Sequence, residues 1–224
     1  MIGYNPSIVT SGLILCLDAP NPRSYPGSGT TWYDVSGNQI LATLVNSPTM
    51  GSQGVTLNGT NSYVTIAFNS LFNFTSSPFT VLAWNNTIST NTGYNGIITA
   101  DLAGDSTWKI FKDLTNSYYA SRSGSTILPF NNYTPGKFHC YAYTKSGTTM
   151  INYMDGAQIN STSSATDPTS FSNNLALGSY RLSDAIAGYY LTNQTIGQIL
   201  LYNRAISASE IAQNFNAIRG RYGL

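Results

Sequence analysis

Ile196-Gly-Gln-Ile-Leu-Leu-Tyr-Asn-Arg204, followed by Ala205-Ile-Ser-Ala-Ser-Glu-Ile211, decides how this chain is read. The first stretch is almost continuously apolar and β-prone, the pattern of a buried strand. The second opens a helix. Ser207 and Glu210 have the spacing of a capping box, in which the serine oxygen accepts from the N3 amide and the glutamate reaches back to the serine amide. Ile206 and Ile211 stand at the two positions of a hydrophobic staple. Ile211, Phe215 and Ile218 then recur at i, i+4 and i+7 as one apolar stripe. Gly220 is expected to supply a left-handed stop. Glu210 is the only glutamate in the chain. Local structure already employs it, which removes the commonest glycosidase acid or base from the suspects.

Outward from this segment, strand signals recur at about 12–17, 40–45, 54–58, 62–67, 78–85, 96–100, 107–112, 117–121, 137–144, 148–154 and 174–178. Clusters of Gly, Asn, Pro and Ser separate them, such as Asn21-Pro-Arg-Ser-Tyr-Pro-Gly-Ser-Gly29. Lys145-Ser-Gly147 and Asp155-Gly156 read as hairpin connections, the latter of type I′ character. Many short strands without helical intervals predict antiparallel sheets rather than βαβ units. The one helix expected spans roughly 208–219. A length of 224 suits a single all-β domain over 12–224. Residues 1–11 read as an N-terminal arm, mobile in a free monomer.

Only 8% of residues are charged and the net charge is +1, while Ser, Thr and Asn together number 76. With no basic run, the chain lacks the phosphate-neutralising surface that nucleic acids require. Its 16 tyrosines argue against disorder. The longest apolar run, Leu13 to Leu17, is too short to span a bilayer. Met1-Ile-Gly-Tyr-Asn-Pro6 lacks the basic and apolar regions of a signal peptide, so synthesis in a cytoplasm without a leader is expected. Cys16 and Cys140 both fall in strand segments and read as buried thiols rather than a disulfide. With His139 as the only histidine, thiolate or imidazole metal sites are excluded.

Glycoside hydrolysis needs two carboxyl groups across the scissile bond. Asp155 belongs to a turn, Asp167 precedes Pro168, and Asp101 and Asp105 flank Leu-Ala-Gly in what reads as a solvated loop. His139, mid-strand, reads as a strand side chain with a local hydrogen bond and offers no Ser/His/Asp arrangement. A sugar site would draw on aromatic faces and amides: Trp108, Tyr118, Tyr119, Tyr133, Tyr180, Tyr189, Tyr190, Asn131 and Asn132 are the candidates. Tyrosine is equally a favoured strand residue, so these positions do not converge on one ligand constellation.

Gly12-Leu-Ile-Leu-Cys-Leu-Asp-Ala-Pro20, Thr31-Trp-Tyr-Asp-Val-Ser-Gly-Asn38, Pro78-Phe-Thr-Val-Leu-Ala-Trp84, Ile151-Asn-Tyr-Met-Asp-Gly156 and the closing Tyr202-Asn-Arg…Glu210-Ile resemble, in order, the concanavalin A-like sandwich domains of the laminin G type. The resemblance runs from about residue 12 to 220. It implies an all-β fold: a two-sheet antiparallel jelly-roll sandwich with one short C-terminal helix. It also implies core roles for Trp32 and Trp84 and a structural role for Asp18. The Glu-x-Asp-x-Glu strand of the family's glucanases is absent. Many such domains hold one Ca²⁺ at a rim, for which Asp34 with Asn38, and Asp101 with Asp105, are the candidates; the competing reading of Asp34 is an Asx turn around Ser36-Gly37. No other cofactor is expected.

The family hosts lectins, glycosidases, adhesion modules and virion proteins, so its fold does not name a function. The closing segment and Leu13 to Asn38 look most like sandwich proteins of tailed phages. That likeness implies a non-enzymatic virion structural protein: capsid decoration, fibre or tail attachment, made in a host cytoplasm. Its partners would be other virion proteins or copies of itself, with cell-surface glycans in addition. The alternative is a carbohydrate-binding lectin-like module or adhesin. Neither reading involves nucleic acid or membrane.

Overall fold

The computed structural model describes residues 7–88, 94–100, 106–112, 119–130, 134–180 and 191–224, and among them are sixteen strands, one α-helix and two short 3-10 turns. In chain order the strands are β1 (Leu13–Asp18), β2 (Thr31–Tyr33), β3 (Leu41–Val45), β4 (Thr49–Gly51), β5 (Gly54–Asn58), β6 (Tyr63–Ile66), β7 (Phe79–Thr87) and β8 (Asn95–Ala100). They continue with β9 (Trp108–Lys112), β10 (Tyr119–Ser123), β11 (Thr126–Pro129), β12 (Phe138–Ser146), β13 (Thr149–Met154), β14 (Ala157–Thr162), β15 (Leu175–Leu177) and β16 (Asn193–Tyr202). The helix is α1 (Ala208–Ile218). All ladders are antiparallel. The first sheet runs β14-β13-β12-β7-β16-β5-β4, with β1 also on β16, and the second runs β11-β10-β9-β8-β15-β6-β3-β2. This is the jelly-roll sandwich that the sequence predicts.

The order follows from which residues need two buried faces. On β16, Ile199 and Leu201 point into the core between the sheets, where they join Leu15, Val81 and Tyr143 of the first sheet and Val64, Ile98, Ile110 and Leu177 of the second. Leu200 and Tyr202 point the other way, into a second apolar layer with Trp84, Cys140, Ile206, Ile211 and Ile218. Helix α1 therefore roofs the outer face of the first sheet, which is why β16 is buried at every position after its first. A bulge at Gly197 lets one edge of β16 serve two partners: β5 pairs with residues 193–196, and β1 with residues from Gln198 onward.

Helix α1 begins as expected. The Ser207 hydroxyl accepts from the Glu210 amide at 3.3 Å, and the Glu210 carboxylate accepts from the Ser207 amide at 2.8 Å. Arg204 adds a bidentate pair to the same carboxylate (3.0 and 2.5 Å). The end differs. Gly220 lies within a 3-10 turn over Arg219–Tyr222, and the left-handed residue is Gly223, at φ 74°. The stop moves because Tyr222 is drawn under the turn onto Trp84 and Phe138, with centroids 4.7 and 4.1 Å away. Asn214, which an apolar stripe does not predict, is also fully buried.

The Arg204 guanidinium and the Ser207 amide together hold the Glu210 carboxyl well below its ordinary range, at about 2. A depressed carboxylate stabilises the fold above its unfolded value of about 4.3, and that stability drains away as pH falls toward the folded value. Melting temperature is expected to drop between roughly pH 4 and pH 2, with a shallower acid limb in Glu210→Gln. Ser207→Ala is expected to cost about 1 kcal/mol at neutral pH in a denaturant titration.

Residues 7–11 depart from the expected mobile arm. Val9 donates its amide to Asn214 Oδ1 (2.8 Å), Asn214 Nδ2 donates to the Tyr202 hydroxyl (3.0 Å), and that hydroxyl donates back to the Val9 carbonyl (2.9 Å). Gln213 and Arg204 bond the carbonyls of Ser7 and Ser11. The buried Asn214 that the stripe misses is what holds this segment down. The rest of the expected arm lies outside the described residues. Strands β2, β4 and β11, of three or four residues, also escape the pattern reading because they alternate too briefly to register, and the six-residue β14 escapes it because it is too polar. The Asp155-Gly156 turn forms as expected, with both residues at positive φ.

Candidate functional site

Among the described residues, no helix covers the outer face of the second sheet. The register of seven ladders aligns Ile127, Arg122, Lys109, Thr99, Ala176, Thr65, Thr43 and Thr31 as one row crossing all eight strands there. Their alternation with Leu128, Ile110, Ile98, Leu177, Val64 and Leu44, which face the core, places the row outward.

The two halves of the row differ. On β9 and β10, Lys109 and Arg122 are direct cross-strand neighbours, an arrangement that repels unless each charge has its own environment. Lys109 Nζ lies 4.2 Å from the centroid of Tyr180, and the Arg122 guanidinium 5.5 Å from that of Phe111. Tyr94 also stacks on Tyr180, at 4.6 Å. This half is a packed layer of aromatics and cations: Lys109, Phe111 and Tyr180 are all buried. On β6, β3 and β2 the face is open. Thr43 is exposed, and one step along, Tyr33 and Leu41 form an exposed cross-strand pair, 43% and 48% accessible. The Thr65 hydroxyl beside them is buried without a hydrogen-bond partner. Hydroxyls flanked by a tyrosine ring and an aliphatic edge can take up a polyhydroxylated surface without stripping water from charge.

Among the described residues, the acidic groups are employed elsewhere. The five acidic side chains among the described residues each hold the fold together. Asp18 takes Arg221 (2.7 Å), and Asp167 takes the fully buried ammonium of Lys145. Asp155 accepts from His139 Nδ1 and the Cys140 amide, both at 2.8 Å. Glu210 takes Arg204, and Asp34 takes backbone amides. His139 Nε2 accepts from the Thr134 amide at 3.3 Å, so the ring proton sits on Nδ1 and both nitrogens are committed. Burial pushes the Cys16 thiol up to about 12, helped by Asp18 and Asp34, and burial raises Cys140 as well. Neither can supply a thiolate nucleophile near neutral pH.

Asp34 and Asn38 do come together, around Ser36. Asp34 Oδ1 accepts from the amides of Cys16 and Ser36 (2.8 Å each), and Oδ2 from the Ser36 hydroxyl (2.7 Å). Asn38 turns its amide nitrogen to the Ile14 carbonyl at 3.0 Å. Removing the carboxylate strands two backbone donors, so Asp34→Ala is expected to cost about 1–3 kcal/mol, equally with and without millimolar Ca²⁺ in the melting buffer. No cluster of three His, Cys, Asp or Glu suited to a metal occurs among the described residues. Asp101 and Asp105 lie outside those residues, as do Tyr118, Tyr133, Tyr189, Tyr190, Asn131 and Asn132. For Tyr119 only the backbone, in β10, is described. Trp108 is not a sugar platform: it is fully buried between the sheets, its indole donating to the Phe72 carbonyl at 2.9 Å. Trp32 and Trp84 are core residues, as expected. The threonine row was missed, because it is assembled from strands far apart in sequence.

A family model described as the concanavalin A-like lectin/glucanases superfamily matches residues 58–212. No curated protein matches the sequence significantly. Among solved structures, Trypanosoma rangeli sialidase in complex with sialic acid superposes with a TM-score of 0.71 at 18% identity, over 96% of this chain and 34% of that one. The binding domain of botulinum neurotoxin DC in complex with rat synaptotagmin II gives 0.70 at 15% identity, over 94% and 52%. The chain thus spans about a third of the sialidase and about half of the toxin fragment, and at these identities the likeness is one of fold.

Proposed function

The chain belongs to the concanavalin A-like lectin/glucanases superfamily, and from that premise we propose that it is a non-enzymatic attachment module, a structural component of a virus particle that works by surface contact with protein neighbours and glycans. The observation that carries the reading is the employment of the acids. Every carboxylate among the described residues is fastened to a structural partner, so none is free to pair across a glycosidic bond. What the outer face of the second sheet offers instead is hydroxyls, a tyrosine and an aliphatic edge. The solved structures of similar fold include one with sialic acid and one with rat synaptotagmin II, which fits a contact role of either kind. The particle context rests on the sequence likeness to tailed-phage sandwich proteins.

Two measurements test the proposal. The purified chain on a glycan array is expected to bind one sugar class saturably and to release no sugar from it; liberated sugar would refute the non-enzymatic reading. Tyr33→Ala is expected to weaken that capture about tenfold, as loss of one aromatic contact does. Peptides of the chain are expected at stoichiometric level in purified particles from the producing host, and their absence would remove the virion role.

A further inference from the structure

On the opposite side of the molecule, where β1, β16 and the end of α1 meet, a recess of about 280 Å³ opens between Asp18, Asn21, Gln198, Ala217, Ile218 and Arg221. Its volume is near the small end of ligand clefts, about 300 Å³. Two acceptors in its wall have capacity to spare. The Asp18 carboxylate, with only 6% of its side chain exposed, has Arg221 as its ion-pair partner. A carboxylate can accept up to about four hydrogen bonds. Gln198 is 1% exposed, and its Oε1 has no partner at all. The terminal torsion of a glutamine amide is soft, so a small turn presents that oxygen to the recess. Ala217 and Ile218 supply an apolar wall.

We propose that this recess is a second ligand site, for one neutral sugar unit that donates neighbouring hydroxyls to Asp18 and Gln198 and lays its CH face on Ile218 and Ala217. The acceptor surplus asks for donors. The guanidinium of Arg221, 41% exposed at the mouth, repels ammonium groups and divalent cations, and the buried carboxylate repels sugar acids. Neutral hydroxyls satisfy both conditions. The site stands apart from the outer face of the second sheet and does not depend on that face binding glycans.

Saturation-transfer NMR on the full chain with glucose, galactose and mannose, and with glucosamine and glucuronate as charged comparators, tests this. At least one neutral hexose is expected to show transfer, and neither charged sugar. Gln198→Leu removes the unpartnered acceptor; it is expected to melt no lower than wild type and to bind that hexose about tenfold more weakly. In a Tyr33→Ala background, which removes the contribution of the far sheet, Ala217→Trp leaves Gln198 in place, plugs the recess from a half-buried position on α1, and is expected to abolish the remaining signal. No transfer from any neutral hexose, transfer from the charged sugars alone, or a signal surviving Ala217→Trp in the Tyr33→Ala background would each overturn the assignment. A Gln198→Leu protein that unfolds would mark the amide as structural, and Ala217→Trp then decides alone.

Discussion

Trp84→Ala is expected to remove about 3–5 kcal/mol of stability, read as the shift of the midpoint in a urea titration. Against a typical total of about 5–15 kcal/mol, such a loss leaves little or no folded protein. Trp84 sits on central strand β7 and is fully buried. Its ring stacks on Phe215 of α1 (5.5 Å, planes 8° apart) and lies against Tyr222 at 4.7 Å, which in turn stacks on Phe138. One side chain thus joins the helix, the C-terminal turn and two strands. The indole N–H finds no acceptor, so Trp84→Phe loses volume while relieving an unsatisfied donor and is expected to lose far less. A midpoint shift below about 1 kcal/mol for the alanine variant would mean that the helical roof does not rest on this residue.

Gly54→Ala is the second large effect, expected at about 3 kcal/mol or more, with soluble yield falling accordingly. Gly54 opens β5 at φ 157°, where it faces the Gly197 bulge. A Cβ there would stand 2.3 Å from the Ile196 carbonyl oxygen and 2.7 Å from its carbon. Both atoms are backbone of β16, so relief requires the β5–β16 ladder to part. Gly147 is the control: it also has positive φ (54°), but a Cβ would meet nothing within 4 Å. Gly147→Ala is expected to cost only the left-handed strain, about 1–2 kcal/mol. Equal losses at the two positions would show that conformational strain, not the contact with β16, governs Gly54.

The contrast between these residues explains what could be read in advance. The capping box at Ser207 and Glu210, the type I′ turn at Asp155-Gly156 and the apolar run of β16 are local patterns, legible because their partners lie within a few positions. Trp84 was assigned to packing by likeness to a family, but its stack on Tyr222 joins residues far apart in the chain. The same holds for Asp18 with Arg221, and for Val9 with Asn214, which turned an expected arm into a docked segment. Gly220 was the natural stop for α1 by local pattern, and it lost to Gly223 because burying Tyr222 outweighs one cap. The face of the second sheet was hidden for a topological reason: its threonines come from β2, β3, β6 and β8, and only the ladder register lines them up. Gln198 did leave a trace, as the one amide inside an otherwise apolar stretch.

The threonine row also has a consequence for where such a surface can operate. Hydroxyls gather no cloud of counterions, so a ligand held by them releases none on docking, and its affinity should stay level from dilute buffer to brine. A lysine-studded surface would let go along that same salinity range. Adhesion through Thr31 and Thr43 would be indifferent to the ionic surroundings in which the ligand is met.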